Sequence, residues 1–215
     1  MTWRDFAPAS TTRRREGIEW SITYAYDAVT EGRPRVLLIG DSICNGYQGR
    51  VRDLLAGRVC VSFWASSKCV TDPDYFRELE FMLEAYRYDA VTFNNGLHSL
   101  KTDRAEWDAA YGAAVSFIRA KLPEAKLSLV TSTPLKDPAL TAVSASLNET
   151  VKGLAEREGL PLLDLFALMD GLDRETFWSD TYHFKMPAVD MQARALSDHI
   201  LSVLGLQIDS ERQRS

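Results

Sequence analysis

The run Arg35-Val36-Leu37-Leu38-Ile39-Gly40-Asp41-Ser42-Ile43 sets the architecture of this chain. Val36 to Ile39 is apolar without alternation, the pattern of a short strand covered on both faces. Gly40 allows a tight turn, and Ser42 then stands where a helix begins, at the carboxyl edge of the strand. Runs of the same character recur at 58–63, 90–93, 127–131 and 160–163. Between them the spacing predicts helices. Tyr75 to Tyr86 carries Phe76, Leu79, Met82 and Leu83 on one face; Arg104 to Leu122 carries Trp107, Ala110, Tyr111, Ala114 and Ile118. Thr141 to Glu158 and Pro187 to Leu204 are the last two, with Pro187 suited to a first turn. Strands alternating with helices predict a three-layer α/β/α domain around a roughly five-stranded parallel sheet. In such sheets ligands bind beyond the carboxyl ends of the strands.

Outward from this core, the chain divides into three. Residues 1–33 are expected to form an N-terminal appendage packing on the core, with Ile18, Trp20, Ile22, Tyr24 and Tyr26 alternating as in a strand. Residues 34–208 form the main domain, and the polar stretch 209–215 reads as a frayed tail. A length of 215 residues suits one such domain, and 46% hydrophobic with 26% charged residues excludes a disordered or fibrous chain. Twenty-five basic against 30 acidic residues leave a net charge of −5, which argues against a nucleic-acid partner. The run Arg13-Arg14-Arg15 reads as a solvated segment. No apolar run reaches the roughly 18–20 residues of a membrane span, and the N-terminus lacks the apolar core of a secretory signal, so a cytoplasmic protein is expected. Cys44, Cys60 and Cys69 form no CxxC pair and read as reduced thiols. With three histidines, no metal-ligand spacing and neither GxGxxG nor GxxxxGK[ST], no metal, nucleotide or other cofactor is expected.

Three polar segments fall on one edge of the predicted sheet. At Gly40-Asp41-Ser42, a serine at a helix N-terminus gains solvent access and backbone N–H groups suited to an oxyanion, although Asp41 and Ser42 would also serve as plain helix caps. In Trp178-Ser179-Asp180-Thr181-Tyr182-His183-Phe184, His183 supplies the base that a serine nucleophile needs, and Asp180, three residues earlier, is placed to orient it. Phe93-Asn94-Asn95-Gly96-Leu97-His98-Ser99 is more polar than a connection requires, though Asn and Gly also build ordinary turns. Asp41, Tyr47, Trp64, Trp178 and Tyr182 flank these segments and are candidates for a substrate wall. Cys44 and His199 read as structural.

Gly40-Asp41-Ser42 together with Asp180-x-x-His183 resembles the SGNH, or GDSL-type, hydrolase family over roughly residues 35–204. The resemblance implies the flavodoxin-like SGNH fold, with Ser42 as nucleophile, His183 as base and Asp180 as its orienting carboxylate. The family's Gly-x-Asn-Asp block falls on Gly96-Leu97-His98-Ser99, so His98 takes the asparagine's place, as in a variant block similar to that of bacterial carbohydrate-ester hydrolases. The family's second-block glycine is missing from Trp64-Ala65-Ser66-Ser67-Lys68-Cys69. Oxyanion-hole candidates are accordingly Ser42, Ser67, Asn95 and His98. The implied activity is a serine esterase on carboxylic esters, removing a short acyl group, acetyl first of all, from a small molecule such as an acylated sugar. An acyltransferase with the same triad and a non-catalytic carbohydrate-binding protein are the alternatives, and homo-oligomerisation is left open.

Overall fold

A computed structural model of the chain describes residues 1–208; the expected frayed tail at 209–215 lies outside the described residues. The strand read first is β2 (Arg35–Gly40), buried along its whole length. Around it lie β1 (Ser21–Ala25), β3 (Cys60–Ser66), β4 (Ala90–Phe93), β5 (Lys126–Val130) and β6 (Leu162–Leu163). The order is β1-β3-β2-β4-β5-β6, with every pairing parallel except that of β1 with β3. Seven α-helices join them: α1 (Ser42–Leu55), α2 (Pro73–Glu84), α3 (Arg104–Lys121), α4 (Pro138–Glu158), α5 (Leu165–Asp170), α6 (Arg174–Phe177) and α7 (Met186–Leu204).

Period-two geometry sorts the sheet's side chains between two cores. Leu37, Ile39, Val91, Phe93, Leu127 and Leu129 face α2, α3 and α4, whereas Val36, Leu38, Phe63, Ala65 and Val130 face α1, α5 and α7. Six helices, α1 to α6, start on an aspartate whose side chain accepts a backbone N–H, so part of the acidic excess sits at helix N-termini. The chain leaves β2 toward β3 and returns to β4 on the other side of β2. That switch point opens a crevice at the carboxyl end of β2, where Ser42 begins α1.

Within residues 1–33, the alternating stretch supplies β1, an edge strand antiparallel to β3 with Ser21 opposite Ser66 and Ala25 opposite Ser62. It shields the outer edge of a strand buried at every position, which would otherwise present unpaired backbone groups. Gly40 stands at the tight strand-to-helix turn with a φ outside the positive range. A Cβ at Gly40 would lie 2.5 Å from the Cys44 Cβ, so the glycine lets the first turn of α1 close against the end of β2.

Candidate active site

Ser42 is the first residue of α1, and the Asp41 side chain before it is buried and accepts the Ile43 N–H at 2.9 Å. Asp41 is thus committed to the cap. That cap fixes the strand-to-helix turn and aims the Ser42 side chain outward.

The partner segment arrives from 141 residues away. Trp178 and Phe184 form an isolated antiparallel bridge, stack at 4.4 Å between ring centroids and are buried in the α1/α5/α7 core. Between these anchors the chain makes a tight loop, closed by Ser179 N–H to His183 O at 2.9 Å and tied to the β5–α4 connection by Lys136 N–H to Thr181 O at 2.9 Å. Asp180 Oδ1 accepts the N–H groups of Tyr182 at 2.7 Å and His183 at 2.8 Å. His183 Nδ1 lies 2.8 Å from Asp180 Oδ2 and 3.1 Å from Oδ1, and His183 Nε2 lies 2.8 Å from Ser42 Oγ. The carboxylate requires the ring proton on Nδ1, which leaves the Nε2 lone pair to accept the serine proton. Burial tends to raise the Asp180 carboxyl, but the two backbone N–H groups and the imidazole outweigh it and hold the group below its ordinary range. Ser42, His183 and Asp180 therefore form one continuous hydrogen-bonded line.

The oxyanion candidates divide. The Ser67 N–H is taken by Trp20 O at 3.1 Å, and its hydroxyl by Glu19 at 2.8 Å. The Asn95 side chain is buried, donating one N–H to Lys68 O and accepting from Val70 N–H and the Ser99 hydroxyl. Ser67 thus has no donor to spare, and Asn95 serves as an anchor of the β3–α2 loop. The Ser42 N–H, in the first turn of α1, has no carbonyl within its helix. His98 follows Gly96, where a Cβ would fall 1.9 Å from Ser132 Oγ. Its Nδ1 meets Glu16 at 2.7 Å, its ring edges against Trp20, and its Nε2, shielded from solvent, has no partner among the described residues.

Ser42, His98, Tyr182 and His183 line one cavity of about 810 Å³, a size ordinary for small-molecule sites. Of the aromatic candidates only Tyr182 is on it. Tyr47 and Trp178 are buried in the core behind α1, and Trp64 is buried against Tyr75, its indole N–H on Ser21. Burial also pushes the Cys44 thiol well up, so it is no competing nucleophile. Unforeseen from the sequence is the far wall: residues 12–16 and Trp20 cross the cavity, joined by Leu97, Leu100, Lys101, Thr102 and Leu140. The only hint was the arginine run, which reads as a solvated segment until its partners are known. Among the described residues, no three His, Cys, Asp or Glu side chains gather as a metal site, and no helix is long and apolar enough to cross a membrane.

Comparison with known proteins adds three findings. A model of the GDSL-like lipase/acylhydrolase family matches residues 38–186. No curated protein matches the chain. Among solved structures, the acetylxylan esterase Axe2 from Geobacillus stearothermophilus is similar at 16% identity and a TM-score of 0.64, over 81% of this chain and 95% of that one. A GDSL-like lipase from Bacteroides thetaiotaomicron is similar at 13% identity and a TM-score of 0.62, over 82% and 90%. At such identities the structural likeness establishes the fold.

Proposed function

The chain belongs to the GDSL-like lipase/acylhydrolase family and hydrolyses ester bonds, and from that premise we propose that it removes short acyl groups, acetyl foremost, from polar sugar-like alcohols through Ser42, His183 and Asp180. The observation that carries the reading is the 2.8 Å contact of His183 Nε2 with Ser42 Oγ, backed by Asp180 on the opposite ring nitrogen.

In this scheme Ser42 Oγ bonds to the ester carbonyl carbon as its proton passes to His183 Nε2. The tetrahedral intermediate collapses, the bond to the alcohol oxygen breaks, and His183 returns the proton to that oxygen. Water then repeats the sequence on the acyl-serine, releasing the carboxylic acid and restoring Ser42. Asp180 keeps the ring oriented and offsets the charge of the imidazolium. The Ser42 N–H is the oxyanion donor in this reading, and His98, whose Nε2 is shielded from solvent, is held beside it by Glu16. Support for acetylated sugars is twofold: similar structures are named acetyl xylan esterases, and the cavity walls set hydroxyl and cationic groups beside the aromatic Trp20 and Tyr182 and three leucines. The His183 side chain is 44% exposed, so water has access to the base for deacylation.

The test is turnover of p-nitrophenyl acetate and acetylated xylo-oligosaccharides by the wild type and by Ser42→Ala, with fluorophosphonate labelling. We expect label on Ser42 and a loss of at least about 10³-fold in the variant. Turnover that survives Ser42→Ala removes this mechanism.

A further inference from the structure

The cavity wall built by the N-terminal segment has an electrostatic character that the ester reading leaves unused. Two of its three arginines are committed. Arg13 reaches Glu19, Asp72 and the Ser67 carbonyl, and Arg15 holds Asp72 and Asp74. Those contacts, with the Thr12 N–H on Glu106, fix the segment on either side of Arg14. Arg14 lines the cavity, is exposed, and among the described residues makes no ion pair or hydrogen bond. Lys101, which follows the short 3-10 turn Leu97–Ser99 that carries His98, also lines the cavity, exposed and equally unpaired among the described residues. Glu16 is the sole carboxylate of the lining, and the His98 ring takes it.

A protein of net charge −5 thus gathers two uncompensated cations around the cavity that holds its nucleophile. A cleft lined by one sign of charge raises the local concentration of the opposite one. We infer that the esters this site takes are anionic, and that Arg14 and Lys101 bind the negative group. The inference rests on the proposed esterase reading, and since an acetyl group is neutral, the charge belongs to the alcohol half: a sugar acid or a sugar phosphate. Carboxylate and phosphate share the recognition, an oxygen anion held between a guanidinium and an ammonium.

Three esters acetylated at the same ring hydroxyl decide it: methyl glucoside, methyl glucuronoside and methyl glucoside 6-phosphate. At low salt the wild type is expected to show a kcat/KM about tenfold or more higher for at least one anionic ester than for the neutral one. The more favoured anion names the natural group. The preference should shrink toward parity at 0.5 M salt, where the screening length falls to a few ångströms. In Arg14→Gln/Lys101→Gln the ratio of anionic to neutral kcat/KM should fall to within about twofold, the scale of an exposed pair's residual effect. Equal kcat/KM for all three esters in the wild type, or a preference that the double variant leaves intact, overturns the inference. Binding of the same esters to Ser42→Ala, measured by calorimetry, separates the two readings. Should the wild type hydrolyse none of them, the esterase mechanism fails, while the ratio of Kd values in Ser42→Ala still decides whether the site selects anions.

Discussion

Replacing Asp180 by asparagine changes one atom and tests the whole catalytic line. Asp180 Oδ1 accepts two backbone N–H groups while both its oxygens face His183 Nδ1. An asparagine has one oxygen for these two tasks. Kept on the backbone N–H groups, it turns its NH₂ toward Nδ1; the ring proton then moves to Nε2, which can no longer accept from Ser42. Flipped, it restores the tautomer but gives up two hydrogen bonds at about 0.5–1.5 kcal/mol each. Either way the imidazolium loses its countercharge. At 2.8 Å that attraction is about 1.5 kcal/mol in water and about 6 kcal/mol at an effective dielectric of 20. The Asp180 side chain is 54% exposed, which places it toward the lower figure. With about 1.5–2.5 kcal/mol for the screened charge, the terms together give roughly 2.5–5.5 kcal/mol, a fall in kcat of about 10²- to 10⁴-fold. The assay is steady-state hydrolysis of p-nitrophenyl acetate at pH 7.5, with thermal unfolding as the control for folding. A variant that unfolds within a few degrees of wild type and keeps more than a tenth of its kcat would show that Asp180 does not set the tautomer of His183.

Three further outcomes are expected. Gly40→Ala forces a methyl to within 2.5 Å of the Cys44 Cβ; we expect a loss of about 1–3 kcal/mol in urea unfolding and a reduced kcat as Ser42 shifts, and an active variant of wild-type stability would contradict the packing argument. Arg35→Met removes a buried guanidinium that donates to the carbonyls of Tyr26 and Asp27 and to Ser62 Oγ, so β1 should loosen from the sheet at a cost of about 2–4 kcal/mol, and a cost below 1 kcal/mol would mean those carbonyls find other donors. Asp164 is held below the ordinary carboxylate range: burial tends to raise it, but Lys152, the Ala167 N–H and the Thr131 hydroxyl prevail. Because the folded-state pKa is the lower one, its stabilisation is complete above the unfolded value near 3.9 and fades as pH falls through the folded value. Asp164→Asn should therefore sit about 0.5–1 kcal/mol below wild type at pH 7 and close that gap in strong acid; a gap that is constant or widens on acidification contradicts the assignment.

What the sequence disclosed and what it hid follow the range of the interactions. Ala90–Phe93 and Arg104–Lys121 match the expected strand and helix closely, because each is written in its own side-chain period. The expected strand run 58–63 fell short of the observed β3, Cys60–Ser66, because Ala65 and Ser66 look like loop until β1 covers them. The place of β1 in the sheet was unreadable for the same reason: its partner begins 35 residues later, and alternation gives a strand but no neighbour. Trp178 shows the limit for single residues. An aromatic beside a polar loop suggests a ligand wall, yet stacking on Phe184 turns it into the buried anchor of that loop.

The site divides along the same line. Chemistry depends on residue type and on which strand end carries it, and both are local; the hydrogen-bonded line of Ser42, His183 and Asp180, the proposed nucleophile, base and carboxylate, is legible because its two short motifs are distinctive. Selectivity depends on which remaining donors and charges face the cavity, and that is decided by distant partners. Ser67 is removed as a donor by Trp20 and Glu19, Asn95 is drawn into the β3–α2 loop by Lys68 and Val70, and Arg13 and Arg15 are paired with Asp72, more than 50 residues away. What survives this subtraction, Arg14 and Lys101, has no motif of its own. A wall defined by what stays unpaired becomes visible only after every pairing around it is known, so a chain can announce its reaction long before it discloses its substrate.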